Sequence, residues 1–177
     1  MVRAAFIWLV WWVALAPASA VAEQTAPLSL LPAAPAIIGD QVPRNELAEK
    51  PVVVTFFASW CPPCTDEFKA LNDVRAAYPA GKATIVAVNL FEKWGGQENP
   101  SRMAKFLRRT EPEFYVVKGN PEIAKAFGNI ERIPSLVVYD PKGKEIWRFV
   151  HLRGAEKMSA TAEEIRAALD KAALPGT

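Results

Sequence analysis

The chain has 177 residues, of which 51% are apolar and 23% are charged, with 21 Lys and Arg against 19 Asp and Glu. This is the composition of a folded protein, and its net charge of +2 is too small to attract nucleic acid. Two cysteines are too few for a disulfide-stapled scaffold, and a single histidine excludes a metal site built from several histidines.

Residues 1–22 have the pattern of a signal peptide. Arg3 precedes an apolar run from Ala4 to Ala16, and Pro17-Ala18-Ser19-Ala20 combines a helix breaker with the small residues of a cleavage site. An N-terminal membrane anchor is the alternative, although the 13-residue run rises only about 20 Å against a hydrocarbon core of roughly 30 Å. Both interpretations predict an exported, periplasmic protein, either released by cleavage or tethered to the inner membrane.

The next segments predict a linker followed by one domain. Residues 23–36 contain three prolines among small residues and show no apolar period, which indicates an extended Pro/Ala-rich linker. The domain is expected over residues 37–177. Its first strand is Val52 to Ala58, an unbroken β-branched and aromatic run typical of a strand buried on both faces. A helix from Thr65 to Ala77 then leads to a second buried strand, Thr84 to Asn89, which should lie parallel to the first.

The second half of the chain adds helices and strands in alternation. Helices are expected over Ser101 to Thr110, over Pro121 to Phe127 and after Thr161, and strands over Phe114 to Val117, Leu136 to Tyr139 and Glu145 to Val150. The last two strands should pair antiparallel, because a short turn containing Pro141 and Gly143 joins them. The whole pattern predicts an α/β fold with a mixed central sheet.

Cys61 and Cys64 are separated by two residues and lie between a buried strand and a helix. The positive end of the helix dipole stabilises a thiolate at Cys61 and so increases its nucleophilicity. Cys64 lies one turn further along, close enough to form a disulfide with Cys61. Pro62 and Pro63 lack N–H donors, which a first helical turn does not need, and we expect the helix to begin at Pro63.

Other roles for the two cysteines fit the sequence less well. A structural disulfide that closes so short a loop removes little entropy from the unfolded chain. A zinc site would have to supplement the two cysteines and His151 with distant carboxylates. Covalent haem attachment is excluded because Thr65, and not a histidine, follows Cys64. These comparisons favour a redox-active dithiol without a metal or another cofactor.

The residues around the cysteines resemble a known family. The segment Phe57-Ala58-Ser59-Trp60-Cys61-Pro62-Pro63-Cys64, together with Ile133-Pro134-Ser135, is similar to the exported TlpA/ResA/DsbE-like thiol-disulfide oxidoreductases of thioredoxin fold. The resemblance covers Val52 to Leu174. It implies a mixed sheet flanked by helices, with a βα unit inserted at about residues 90–128. It also implies a cis peptide bond before Pro134, beside the cysteines.

The resemblance also suggests how protons are handled at the site. Glu92 lies where several family members hold a glutamate that tunes the thiols, and an ordinary solvated loop residue is the alternative. Thioredoxin itself has a buried acid on the strand before its cysteines. The matching residue here is Thr55, which does not accept a proton near neutral pH. The sequence therefore leaves Glu92 or water as the proton acceptor.

By resemblance, the chain is a periplasmic reductase of protein disulfides. Cys61 attacks the substrate and Cys64 resolves the mixed disulfide, while Ile133 and Pro134 bind an extended substrate segment. The residues that support the cysteines are Trp60, Pro62, Pro63 and Glu92. The implied electron donor is a membrane thiol-relay protein of the DsbD or CcdA type. A thiol oxidase or isomerase, and a metallochaperone or binding module of the same fold, are the alternatives.

Overall fold

The computed structural model describes residues 27–93 and 96–174, so the predicted signal peptide or anchor at 1–22 lies outside the described residues. The described chain forms one mixed sheet with the strand order β1-β4-β3-β2-β5-β6. The strands are β1 Ala36–Ile38, β2 Val52–Phe57, β3 Thr84–Asn89, β4 Tyr115–Lys118, β5 Ser135–Tyr139 and β6 Glu145–Val150. The helices are α1 Pro62–Ala77, α2 Pro100–Thr110, α3 Pro121–Ala126 and α4 Ala162–Ala173.

Strand β2 is central because it pairs on both edges. It runs parallel to β3 and antiparallel to β5, and all six of its residues are buried. β3 is parallel to β4, and β5 is antiparallel to β6. The predicted mixed sheet, the parallel pair β2–β3 and the antiparallel pair β5–β6 are therefore confirmed. The β-branched and aromatic run of β2 follows from burial on both faces of the sheet.

Successive residues of β2 point into two separate hydrophobic cores. Val53 and Phe57 face the core that contains α1, α2 and α4, where the Phe57 ring lies 4.6 Å from that of Phe68. Val54 and Phe56 face the opposite core, which α3 covers. Because side chains alternate along a strand, the two cores hold β2 in one register and fix where the chain leaves it, directly before the cysteines.

The prediction of an extended linker at 23–36 is wrong for the residues that the structure describes there. A 3-10 helix spans Leu28–Ala33, and Ala36–Ile38 forms the edge strand β1, antiparallel to β4. Leu28 is 3% exposed and Leu31 is fully buried, because the three-residue period of a 3-10 helix places both leucines against the second core. Residues 27–36 therefore belong to the folded domain.

One further detail differs from the sequence-based expectation. Helix α1 begins at Pro62 and not at Pro63, because Cys61 takes the extended conformation of an N-cap, which is also the conformation preferred before a proline. The segment expected at about residues 90–128 contains α2, β4 and α3, as its sequence pattern predicts, and β4 in turn provides the pairing edge for β1.

Candidate active site

Cys61 and Cys64 form a disulfide at the N-terminus of α1, with their Cα atoms 5.4 Å apart. Cys61 is the N-cap residue, and its Sγ accepts a hydrogen bond of 3.3 Å from the Cys64 backbone N–H. Cys61 is 4% exposed, whereas Cys64 is fully buried. Of the two cysteines, Cys61 is therefore the more accessible to an incoming partner.

The peptide bond between Ile133 and Pro134 is cis, as expected, and it directly precedes β5. A cavity of about 440 Å³ opens between this bond and the start of α1. Five of the eight predicted site residues line it, namely Trp60, Cys61, Pro62, Pro63 and Ile133. The structure thus brings the two distant motifs of the sequence together on one surface.

Glu92 lies beside the loop that leads into the cysteines. Its carboxylate accepts hydrogen bonds from the backbone N–H of Ser59 at 2.9 Å, from the Ser59 hydroxyl, and from Asn89 Nδ2 at 2.9 Å. Arg102 Nη2 forms an ion pair with it at 3.1 Å. Burial alone would raise the pKa of Glu92, but these donors outweigh burial and hold the pKa below its ordinary value. Glu92 is therefore ionised and anchors the loop, and its influence on the thiols stays a prediction.

A second acid, Glu67, lies inside the protein behind the disulfide. It is 1% exposed and follows Cys64 by one turn of α1. The Thr55 hydroxyl donates to one carboxylate oxygen, and the Ala160 backbone N–H donates to the other at 3.2 Å. Burial raises the pKa of Glu67 to about 7, although both donors and the charge of Lys157 oppose the shift. An acid with this pKa gains and loses a proton near neutral pH.

Glu67 is a candidate proton acceptor that the sequence-based prediction did not include. The pattern that indicates it is the spacing on α1: Glu67 is three residues after Cys64 and four before Leu71, so it occupies the apolar face of the helix. Thr55, at the strand position where thioredoxin holds its acid, forms a hydrogen bond with Glu67. The helix thus supplies the carboxylate that the strand lacks.

Neither a membrane-spanning helix nor a cluster of metal-binding side chains is found in residues 27–93 and 96–174. No helix there has both the length and the apolar character needed to cross a bilayer. The same residues hold no group of three or more His, Cys, Asp or Glu side chains arranged to bind a metal ion.

The chain resembles known disulfide oxidoreductases in sequence and in fold. The chain is 25% identical over 166 residues to the sporulation thiol-disulfide oxidoreductase A of Bacillus subtilis, covering 90% of this chain and 94% of that protein. A secreted disulfide oxidoreductase of Mycobacterium tuberculosis, homologous to E. coli DsbE, superposes with a TM-score of 0.62 at 22% identity, covering 78% of this chain and 93% of the other. A protein of Chlorobium tepidum, proposed to be the thiol:disulfide interchange protein DsbE, has a TM-score of 0.60 at 27% identity, with coverage of 78% and 90%.

The family assignment rests on a match over most of the chain. The model of the AhpC/TSA family matches residues 23–146. This range includes strands β1 to β5, the first two residues of β6 and both cysteines. The thioredoxin-like arrangement of the sheet and helices agrees with that match. The chain therefore belongs to the AhpC/TSA family, and it is a thiol-disulfide oxidoreductase of thioredoxin-like fold.

Proposed function

We propose that the chain is an exported reductase of protein disulfides that works through Cys61 and Cys64. The observation that carries this proposal is the position of the disulfide, which lies between an open cavity at the Ile133–Pro134 bond and the buried acid Glu67. A partner reaches the pair from the cavity, and protons are exchanged with the acid on the opposite side. A structural disulfide would need neither neighbour.

The reaction begins with the reduced dithiol. The Cys61 thiolate attacks one sulfur of the substrate disulfide, forms a mixed disulfide and releases the other substrate sulfur as a thiolate, which takes up a proton. Cys64 then attacks the Cys61 sulfur, which closes the Cys61–Cys64 disulfide and releases the second substrate thiol. Two electrons pass from the dithiol to the substrate, so a donor must reduce the pair before the next cycle.

Glu67 is the group that we expect to take the proton from Cys64. Cys64 is fully buried, so its proton has no direct exit to solvent during the second step. The Glu67 carboxylate lies one helical turn away, and its pKa of about 7 matches a group that accepts a proton and later returns it. Glu92 is less suited to this step because its pKa is lowered and its oxygens already accept four hydrogen bonds.

Ile133 is the expected backbone contact for the substrate. Among the described residues, none forms a hydrogen bond with the N–H or the C=O of Ile133. This residue directly precedes Pro134 and lines the cavity that contains Cys61. An extended substrate segment that pairs with it would add a short strand and bring its own cysteine toward Cys61.

The electron donor and the cellular location remain part of the proposal. We expect a membrane thiol-relay protein of the DsbD or CcdA type to reduce the oxidised pair outside the cytoplasm. The N-terminal pattern of residues 1–22 and the secreted neighbour from M. tuberculosis support export. Release by cleavage and attachment through an uncleaved anchor predict different N-termini, which N-terminal sequencing of the exported protein distinguishes.

Two measurements test the proposal. A Cys64→Ser variant should accumulate a mixed disulfide through Cys61 in cells, because the resolving thiol is absent. Cys61→Ser/Cys64→Ser is the matched control and should trap nothing. The reduction potential of the pair then sets the direction: a value near −270 mV favours a reductase, whereas a value near −120 mV would establish the oxidase alternative. Failure of Cys64→Ser to form any adduct would contradict the mechanism.

A further inference from the structure

A second cleft continues from the cavity at Cys61. It has a volume of about 640 Å³ and shares four residues with that cavity, namely Trp60, Ile133, His151 and Met158. Phe91 lines the second cleft but not the cavity that contains Cys61. A substrate segment paired with Ile133 would therefore extend past Cys61 into this cleft.

Exposed apolar side chains are concentrated in the cleft. The described part of the chain has four large hydrophobic residues that are exposed, and two of them, Phe91 and Met158, line it. Phe91 is 39% exposed and Met158 is 45% exposed. Apolar side chains grouped beside a reactive pair indicate a binding surface, whereas single exposed hydrophobics need no explanation.

The charges around the cleft balance. Its lining includes two arginines and two glutamates, Arg132, Arg153, Glu131 and Glu156. With opposite charges in equal number, the cleft has no net charge with which to attract a strongly acidic or basic segment. Its apolar side chains are therefore left as the feature that distinguishes one neutral substrate segment from another.

The backbone of Phe91 has an unusual conformation. Its φ angle is 59°, in the left-handed region that a bulky residue rarely adopts. The Trp60 indole N–H donates to the Phe91 carbonyl at 2.9 Å, and the next residue, Glu92, is held by Ser59 and Arg102. These contacts hold an unfavourable turn that places Phe91 at the cleft. Strain maintained in this way beside a reactive site points to a role in binding.

We propose that Phe91 is a specificity-determining residue, which forms with Trp60 and Met158 a pocket for an apolar side chain on the disulfide-bearing segment of the substrate. This inference rests on the proposed function and narrows its substrate class. Bound in this way, the segment pairs with Ile133 through its backbone and places a nonpolar side chain against the Phe91 ring. Substrates with an apolar residue near the reactive cysteine should be reduced faster than equally accessible polar ones.

The test compares two peptide disulfides that differ at one residue. The peptides carry Leu or Ser at one position within two residues of the cysteine, and each position is tried in turn. The measured quantity is the second-order rate constant for oxidation of the reduced full chain, followed by thiol alkylation and mass spectrometry. We expect the wild type to prefer the Leu peptide on the order of tenfold at the position that reaches the cleft. Hydroxyethyl disulfide, which has no apolar side chain, reports the chemistry alone.

Variants of Phe91 distinguish the contribution of its ring from that of its backbone conformation. Phe91→Ala and Phe91→Gly should both reduce the preference to about twofold or less, although glycine also relieves the left-handed backbone. Phe91→Tyr should retain it. Leu152→Ala is the matched control, because Leu152 is 58% exposed and lies in the same loop as Met158 but does not line the cleft. The rate with hydroxyethyl disulfide is measured for every variant, so that the preference for the Leu peptide is expressed as the ratio of the two peptide rates at a known reactivity of the dithiol. Leu152→Ala should leave both this ratio and the hydroxyethyl disulfide rate unchanged.

Three outcomes would overturn the inference: a wild type that reacts equally with both peptides, a preference that survives Phe91→Gly, or an equal loss in Leu152→Ala. Failure of the proposed function looks different. In that case the reduced protein would react with none of the three disulfides, the small one included. A normal rate with hydroxyethyl disulfide and no peptide preference would leave the dithiol chemistry standing and reject the role of Phe91.

Discussion

Replacing Glu67 by Gln should change how the stability of the oxidised protein depends on pH. Folding raises the pKa of Glu67 from an ordinary value of 4.5 to about 7. Between these values the folded protein keeps the proton while the unfolded chain releases it. The free energy of unfolding contributed by this group is therefore fully present below pH 4.5, falls as the pH rises, and levels off above about pH 7.

The pKa shift sets the size of the effect. One pKa unit corresponds to about 1.4 kcal/mol, so a shift from 4.5 to about 7 makes the wild type lose roughly 3 kcal/mol across this range. Gln is neutral at every pH and should not show this loss. The difference between the two proteins, and not either curve alone, isolates Glu67 from the other acids that titrate.

Gln is a suitable replacement because it resembles the protonated acid. Its amide can donate to the Thr55 hydroxyl, while its carbonyl accepts the Ala160 N–H that now donates to Glu67. The Thr55 hydroxyl can then donate to the Ser135 carbonyl, which lies 3.4 Å away. Every existing donor and acceptor keeps a partner, and only the second amide N–H is added without one among these groups. That cost is the same at every pH, so the change of stability with pH, and not its absolute value, is compared between the two proteins.

Urea denaturation of the oxidised proteins from pH 4.5 to 8 provides the measurement, since the disulfide prevents the cysteines from titrating. From pH 4.5 to about 7 the wild type should lose roughly 3 kcal/mol of stability relative to Glu67→Gln. Glu163→Gln, at an exposed position of α4, is the control and should follow the wild type. Parallel curves for wild type and Glu67→Gln would refute the assignment of a raised pKa to Glu67.

Three further changes test other features. Leu31→Ala should destabilise the protein by about 2–5 kcal/mol in urea, because Leu31 is fully buried, whereas Leu174→Ala, at a residue 69% exposed, should have almost no effect. Gly119→Ala should destabilise it by roughly 1–3 kcal/mol, since a Cβ would lie 2.6 Å from Leu90 Cδ2; an unchanged urea midpoint would contradict this steric argument. If Glu92 tunes the thiols, Glu92→Gln should shift the pH profile of Cys61 alkylation, and an unchanged profile would reject that role.

The elements that the sequence predicted well are those in which local pattern and burial agree. Val52–Phe57 is an unbroken run of apolar or β-branched residues, and Thr84–Asn89 is one up to its last residue; the structure buries every residue of both strands. The helix expected after Thr161 is α4, and a capping box fixes its start: the Glu164 N–H donates to Thr161 Oγ1, and the Thr161 N–H donates to the Glu164 carboxylate. The disulfide between Cys61 and Cys64 and the cis bond before Pro134 were predicted correctly, because few other structures account for two cysteines so spaced and for an Ile-Pro step before a strand. In all these cases neighbouring residues determine the outcome.

The elements that the sequence predicted poorly depend on distant contacts. Leu28 and Leu31 stand among prolines and alanines, and only the second core, built from α3 and the sheet, explains their burial. Glu92 and Glu67 are both acids near the cysteine motif, and composition does not separate them. Packing separates them. Hydrogen bonds from Ser59 and Arg102 stabilise the ionised form of Glu92, whereas burial raises the pKa of Glu67 to about 7.

The position of Glu67 also explains why a threonine suffices on the strand. The Thr55 hydroxyl lies within hydrogen-bond distance of the Glu67 carboxylate and of the Ser135 carbonyl. Ser135 is the first residue of β5 and directly follows Pro134. The acid behind the disulfide and the backbone beside the substrate cavity are thus linked through one side chain. Because Thr55 can donate to either oxygen, it accommodates both protonation states of Glu67 without leaving a buried group unpaired. A carboxylate at position 55 would instead place two acids in contact and penalise the ionised form of both.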